Sequence, residues 1–290
     1  MKRPYGSQSM IAPLHTVLVK RPDSAFAVQD PSVWHYTARP DLDSAQEEHD
    51  GLVALLRQAG VEVLYHDQEQ PGRADAIYVF DPAIVTDHGA IILQMGKALR
   101  RGEEAAMARQ MEALGIPIHY TLHGAARAEG GDLLWIDHDT LAVGLGFRTN
   151  AAGLYQLQEA LSGSGVQIIP VELPYHTGPE ACLHLLSLIS IVDHGLAVVY
   201  PPLLSIPFWE YLSQEGGFQF IVVPPDEFVT MGTNVLALAP GHCLMLEGNP
   251  VTQRRLEEAG CTVLTYQGDE ISLKAEGGPT CLTRPLWRED

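Results

Sequence analysis

The sequence predicts an α/β protein built by radial repetition of one small unit, and three observations carry that prediction. A word of apolar strand, tight turn, apolar strand, helix and strand recurs along the chain at intervals of about fifty residues. The recurring turns share a signature, Asp87-His88-Gly89, Asp137-His138-Asp139 and Asp193-His194-Gly195. Strand–helix alternation alone would also fit a doubly wound sheet, but neither GxGxxG nor GxxxxGK[ST] occurs, and Gly144-Leu145-Gly146 is only a fragment of such a loop.

Taken in order, residues 15–20 (HTVLVK) read as a strand. Residues 45–59 read as a helix with Leu52, Leu55 and Leu56 on one face and Gly60 as its stop, and 61–65 follow as a strand. Residues 76–80 and 90–93 are predicted strands about the turn at 87–89, followed by a helix over 102–114 and a strand at 116–120. The unit returns as strands 133–136 and 140–143 with a helix near 150–161. It returns again as strands 186–192 and 196–200 with a helix near 208–215. The last copy has strands 235–238 and 243–246 and a helix over 249–260. No low-complexity segment or linker interrupts the series, so 1–290 read as a single domain.

Composition is that of an ordinary globular chain: 46% apolar, 19% charged, mean hydropathy +0.01. No apolar run reaches the roughly 18–20 residues of a membrane helix, and the N-terminus lacks the apolar stretch of a signal peptide. The expectation is a cytoplasmic protein with no membrane partner. A formal net charge of −18 argues against nucleic acid, whose phosphates need clustered Lys and Arg. An acidic surface attracts cations, although acidity alone is as well explained by solubility.

The cysteines are Cys182, Cys243, Cys261 and Cys281. No CxxC pair and no Cys/His cluster of zinc spacing is present, so no metal is expected. Cys182, Cys243 and Cys261 sit among apolar residues and read as inert core positions. Cys281 differs, because Gly277-Gly278-Pro279-Thr280 surrounds its thiol with backbone. A nucleophilic cysteine needs exposure and a base, and other segments offer partners. His184 opens an apolar run, where a lone histidine is more commonly a core residue. Glu129-Gly130-Gly131-Asp132 opens strand 133–136 and reads either as a plain turn or as a carboxylate facing a pocket. Asp81, before Pro82, is either a turn acid or an anchor for a cation.

The ordered set Asp81, Glu129-Gly-Gly-Asp132, His184 and Gly277-Gly278-x-x-Cys281 resembles the pentein superfamily of arginine deiminases, dimethylarginine dimethylaminohydrolases and amidinotransferases. Leu18-Val19-Lys20-Arg21-Pro22 and Arg148-Thr149-Asn150 extend the resemblance over nearly the whole chain. It implies a five-bladed, pseudo-symmetric α/β propeller of ββαβ units. It also implies hydrolysis of a guanidinium C–N bond with no cofactor, the partner being a small-molecule guanidine. In that reading Cys281 attacks the guanidinium carbon, His184 moves the proton, and Glu129 and Asp81 grip the nitrogens. Arg148 would hold the substrate α-carboxylate and Asp75, six residues before Asp81, the α-amino group. Asn234 is a further pocket candidate, against the commoner reading of a turn asparagine. Members of the superfamily are commonly oligomeric, so a homo-oligomer is expected from the resemblance alone.

Three positions depart from the deiminases. Leu186 stands where they have an aspartate, which tilts the expectation toward an N-alkylated arginine, a guanidinium with fewer N–H groups to satisfy. Gln94 and Glu276 stand where relatives have arginines, which weakens the expected grip on the α-carboxylate. The alternatives are an amidinotransferase using the same site and a noncatalytic pentein that binds without reacting.

Overall fold

Hairpin turns and helical crossovers sort the chain into five three-stranded sheets. The computed structural model describes residues 4–181 and 183–289. The first sheet holds β1 (Leu14–Val19) and β2 (Glu62–Tyr65), and the second β3 (Ala83–Thr86), β4 (Gly89–Ile92) and β5 (Ile118–Thr121). The third holds β6 (Leu133–Asp137), β7 (Thr140–Leu145) and β8 (Gln167–Glu172). The fourth holds β9 (Ile189–Asp193), β10 (Leu196–Val199) and β11 (Gln219–Val222). The fifth holds β12 (Val235–Ala239), β13 (His242–Leu246) and β14 (Thr262–Tyr266), and β15 (Arg284–Arg288) returns to complete the first.

All five sheets have one pattern. An antiparallel hairpin, such as β3–β4 with Thr86 opposite Gly89, is followed by a helix and then a strand parallel to the middle one. In the first sheet the antiparallel partner of β1 is β15, with Leu18 opposite Arg284, so the two chain ends close the ring.

The crossovers are helices because their sequences supply caps and one apolar face. Asp41 caps the helix Leu42–Gln58 by accepting from Ser44 N (2.9 Å), and Leu52, Val53 and Leu56 are its buried face. Asn150 caps Ala151–Ala160 by accepting from Gly153 N (2.8 Å). The apolar core is divided among the five junctions between neighbouring sheets. Leu18 packs with Ile92 and Leu286, Ile91 with Leu133 and Val143, and Leu134 with Ile189 and Ile191. Val192 packs with Val235 and Met245, and Leu236 with Val17 and Val19. At ~1.5–3 kcal/mol for each large side chain buried, these clusters hold neighbouring sheets together at each junction.

Two predicted strands are displaced. Residues 76–80 are not extended: Ala74–Ile77 form a 3₁₀ turn, and the strand is Ala83–Thr86, beyond Pro82. The two-residue turn Asp87-His88 fixes the hairpin partner of β4, and that partner ends at Thr86. The apolar residues 76–80 are buried because they run through the centre of the ring, where Tyr78 donates its hydroxyl to Ile271 O (2.9 Å). Likewise the predicted strand 186–192 begins at Ile189, because Leu185–Ser187 form a 3₁₀ turn headed by His184. The helix near 208–215 is a short α-helix, Ile206–Glu210, continued by a π turn over Tyr211–Glu215.

Candidate active site

The fivefold repeat places the loop preceding each inner strand at the same end of the ring. Asp81 precedes β3, Glu129 precedes β6, His184 precedes β9, Asn234 precedes β12 and Cys281 precedes β15. Each sheet thus contributes one of the residues singled out in the sequence. The Asp-His hairpin turns that reveal the repeat lie at the other end of these strands.

Glu129 is the buried centre of the arrangement. Its Oε1 accepts from Gly96 N (2.8 Å) and Lys97 N (2.9 Å), and its Oε2 from Arg148 Nη1 (3.0 Å) and His184 Nε2 (2.8 Å). Burial would push this carboxyl up, but the Arg148 guanidinium and then His184 hold it well below the usual carboxylate range. Thr149 ties the same loop down: Glu129 N donates to Thr149 Oγ1 (3.2 Å), and that hydroxyl donates to Asp132 Oδ2 (2.6 Å). Asp132 Oδ1 in turn accepts from Leu185 N (3.0 Å), next to His184, and burial pushes the Asp132 carboxyl up to about 6. Gly130 and Gly131 are needed for close approach. A Cβ on Gly130 would stand 2.2 Å from Phe80 O, and one on Gly131 would stand 2.6 Å from His184 Cγ.

Asp81 accepts from Gly131 N at Oδ1 (2.8 Å) and pairs at Oδ2 with Arg100. Arg100 is buried between Asp81 and Glu103. Burial opposes its charge, but Glu103 and Asp81 raise its pKa well above the usual value. Asp75 accepts from Tyr36 OH (2.7 Å) and Lys97 Nζ (2.6 Å). Cys281 sits half-buried in the turn before β15. Asn234 clasps that turn, its Oδ1 accepting from Thr280 N (3.1 Å) and its Nδ2 lying 3.5 Å from Cys281 Sγ. The double glycine ahead of Cys281 again serves contact, since a Cβ on Gly277 would reach within 2.1 Å of Tyr78 and one on Gly278 within 2.4 Å of Asn234.

Cys281, His184, Asp81, Asp75 and Arg148 line one cavity, together with Arg100 and Lys97. Its free volume is about 30 Å³, one water's worth, because Arg148 lies on Glu129 and Arg100 on Asp81. The carboxylates that the resemblance gives to a substrate guanidinium are held by the protein's own guanidinium groups. Donor atoms of Asp81, Glu129 and His184 also lie within 4.8 Å of one another, close enough to surround a cation. Both oxygens of Glu129 and both of Asp81 already accept from protein N–H groups, which makes the trio an anchor for N–H donors first.

The three positions that depart from the deiminases take different places. Leu186 is buried in an apolar cluster with Phe80 and Leu134. Gln94 donates to Gly124 O (3.0 Å) rather than facing the cavity; the additional arginine in the lining is Arg100, which the sequence reading passed over. Glu276 does line the cavity, half-buried and with a positive φ of 59°. Cys243 and Cys261 are buried, and burial pushes both thiols up, as inert core residues require. Cys182 lies outside the described residues. Among those residues, no helix is long and apolar enough to cross a membrane.

Residues 34–288 match the family model described as N,N dimethylarginine dimethylhydrolase, eukaryotic. The chain belongs to this family. Within reach of this dimethylhydrolase family, an N(G),N(G)-dimethylarginine dimethylaminohydrolase of Streptomyces coelicolor is 29% identical over 93% of this chain and 96% of its own. An uncharacterized protein of Bacillus subtilis, YkgA, is 31% identical over 85% of this chain and 82% of its own. Among solved structures, a mutant dimethylarginine dimethylaminohydrolase of Pseudomonas aeruginosa complexed with citrulline matches with TM-score 0.78. It is 21% identical and covers 94% of this chain and 100% of that one. An amidinotransferase of Microseira wollei matches with TM-score 0.79 at 16% identity, over 99% and 98%. These structural likenesses establish the fold, a ring of five three-stranded sheets with flanking helices.

Proposed function

We propose that this protein is a cysteine hydrolase of the guanidinium C–N bond of an arginine-like substrate, with N-alkylated arginine favoured over free arginine. The observation that carries the reading is the His184–Glu129 contact (2.8 Å) beside a cavity that Cys281, His184 and Asp81 line together. The preference for an alkylated substrate is supported by the dimethylarginine dimethylhydrolase family match.

A guanidinium carbon is a weak electrophile because resonance spreads its charge. Fixing it between Asp81 and Glu129 keeps it cationic and aligned for attack. The incoming guanidinium replaces the guanidinium groups of Arg100 and Arg148 on those carboxylates, one like group for another. Arg148, so released, is close enough to receive the α-carboxylate, and Asp75 the α-amino group. The Cys281 thiolate forms a C–S bond and the C–N bond to the substituted nitrogen breaks as His184 gives that nitrogen a proton. His184 then takes a proton from water, the water oxygen bonds to carbon, and the C–S bond breaks to restore the thiolate; the second water proton passes from the new C–O group to solvent and leaves a neutral ureido group.

The test is a panel of arginine, mono- and dimethylarginine, agmatine and guanidinoacetate, assayed for ureido products beside Cys281→Ser. Turnover of a methylated arginine, absent in the variant, is the expected result. No ureido product from any of them, and no thiouronium adduct on Cys281 by intact mass, would overturn the reading. Adding a primary amine to the same assay reports amidino transfer as an alkylguanidine product.

A further inference from the structure

Cys281 and His184 face two cavities. The second, of about 210 Å³, is lined mainly by residues that do not line the first. His184, Glu276 and Cys281 line both. Taking about 30 Å³ per water, the second space holds some seven waters, or an amine with several carbons.

The two sides differ in chemistry. The first is lined by three cations, Lys97, Arg100 and Arg148, and by Asp75 and Asp81. Among the described residues, no lysine or arginine lines the second and its single carboxylate is Glu276. Its walls include Leu183, Phe228, Val229 and Met231. Phe228 is fixed by stacking on Tyr200, with ring centroids 3.9 Å apart. The mouth is marked by His176 and Val229, both exposed.

We propose that this second cavity is the site and exit path of the leaving amine, so that the amino-acid part and the amine part of the substrate use different cavities beside Cys281. The inference rests on the hydrolase reading for its chemistry. As the C–N bond breaks and His184 protonates the departing nitrogen, the amine is released beside the apolar walls and takes a further proton from water to become an alkylammonium. Glu276 offers that cation its counter-charge, and no lysine or arginine among the described lining residues repels it. The charged side suits the α-carboxylate and α-amino groups and cannot accept alkyl carbon without stripping water from ion pairs. The ligand class is therefore a small alkylammonium, extending beyond two methyl groups to chains of about three or four carbons.

Two substitutions fill the space: Met231→Trp on its wall and Val229→Trp at its mouth. Val229 is 70% exposed, so its replacement leaves the core untouched even if Met231→Trp folds poorly. Both would be compared with wild type on Nω-methylarginine and Nω-propylarginine. The expected result is at least a tenfold fall in the propyl-to-methyl ratio of kcat/KM; an unchanged ratio overturns the proposal. A second arm needs no turnover. n-Propylammonium should slow iodoacetamide labelling of Cys281, followed by peptide mass, at least fivefold in wild type, with the protection lost in both variants. Should no guanidine be hydrolysed, the hydrolase reading fails while this arm still decides. Protection lost on filling the cavity upholds the amine site, and absent or unaltered protection overturns it.

Discussion

Glu129 Oε2 lies 2.8 Å from His184 Nε2 and accepts at the same time from Arg148 Nη1 at 3.0 Å. One buried oxygen therefore orients the histidine and neutralises an arginine, and both partners lose when it is altered. Glu129→Gln is expected to lower kcat roughly 10²–10⁴-fold, the range for a misplaced proton donor. It should also cost about 3–5 kcal/mol of stability, because the buried Glu129–Arg148 ion pair loses its negative member. The pH dependence has a fixed sign. Glu129 is held below its unfolded value, so its contribution is complete above about pH 5 and is lost as pH falls through the lower folded value. Urea melts from pH 7 to pH 3 should show a steeper acid decline in wild type than in the variant; parallel declines would refute this role.

The glycine pair beside Glu129 separates activity from stability. A Cβ on Gly131 would stand 2.6 Å from both Cγ and Nδ1 of His184, whereas one on Gly130 would meet the Phe80 carbonyl at 2.2 Å. A ring can tilt and a backbone carbonyl cannot. Gly131→Ala is thus expected to lower kcat roughly 100-fold by displacing His184, with a small fall in Tm. Gly130→Ala should mainly lower Tm. Paired kinetics and thermal melts check both, and equal profiles for the two variants would count against the assignment.

These glycines show what a sequence can and cannot reveal here. Asp81, Glu129, His184 and Cys281 were legible as an ordered set that resembles a family, each alone being open to a plain turn or core reading; the structure puts all four, with Asn234, just before an inner strand. The hairpin repeats were legible because Asp87-His88 and Asp193-His194 punctuate alternating apolar segments. Residues 76–80 misled because burial at the centre of the ring and burial in a sheet write the same apolar string. Arg100 escaped because Leu99-Arg100-Arg101-Gly102 looks like a solvated lead-in to a helix; only the fold shows it turned inward between Asp81 and Glu103. The second cavity was invisible too, because its lining joins residues as far apart in the chain as His176, Phe228, Met231 and Glu276, which share no motif.

Asp132 gives a prediction of opposite sign to that for Glu129. Burial raises its carboxyl to about 6, above an unfolded value near 4. The folded protein then holds a proton that the unfolded chain has released between those values, so this group's contribution to stability falls as pH rises from about 4 to 6 and stays level above. The full effect is at most about 3 kcal/mol. In Asp132→Asn the amide oxygen can still accept from Leu185 N and the amide nitrogen can meet Thr149, without the titration. The variant is expected to match or exceed wild-type stability at pH 7 and to lose that advantage toward pH 4. An advantage that does not vary with pH would exclude the raised carboxyl.

Arg148 decides whether the substrate carries an α-carboxylate. Its guanidinium rests on Glu129 in the unliganded protein and lines the cavity beside Cys281. Arg148→Lys keeps the positive charge that Glu129 requires and removes the planar fork suited to a carboxylate. With Nω-methylarginine the variant is expected to show KM raised about tenfold and kcat changed far less, the pattern of lost ground-state binding. With Nω-methylagmatine, which lacks the carboxylate, KM should stay within about twofold of wild type. Initial-rate kinetics on the two compounds make the comparison. Equal losses on both would mean that Arg148 serves only to hold Glu129, and that the substrate is a guanidine recognised without its carboxylate.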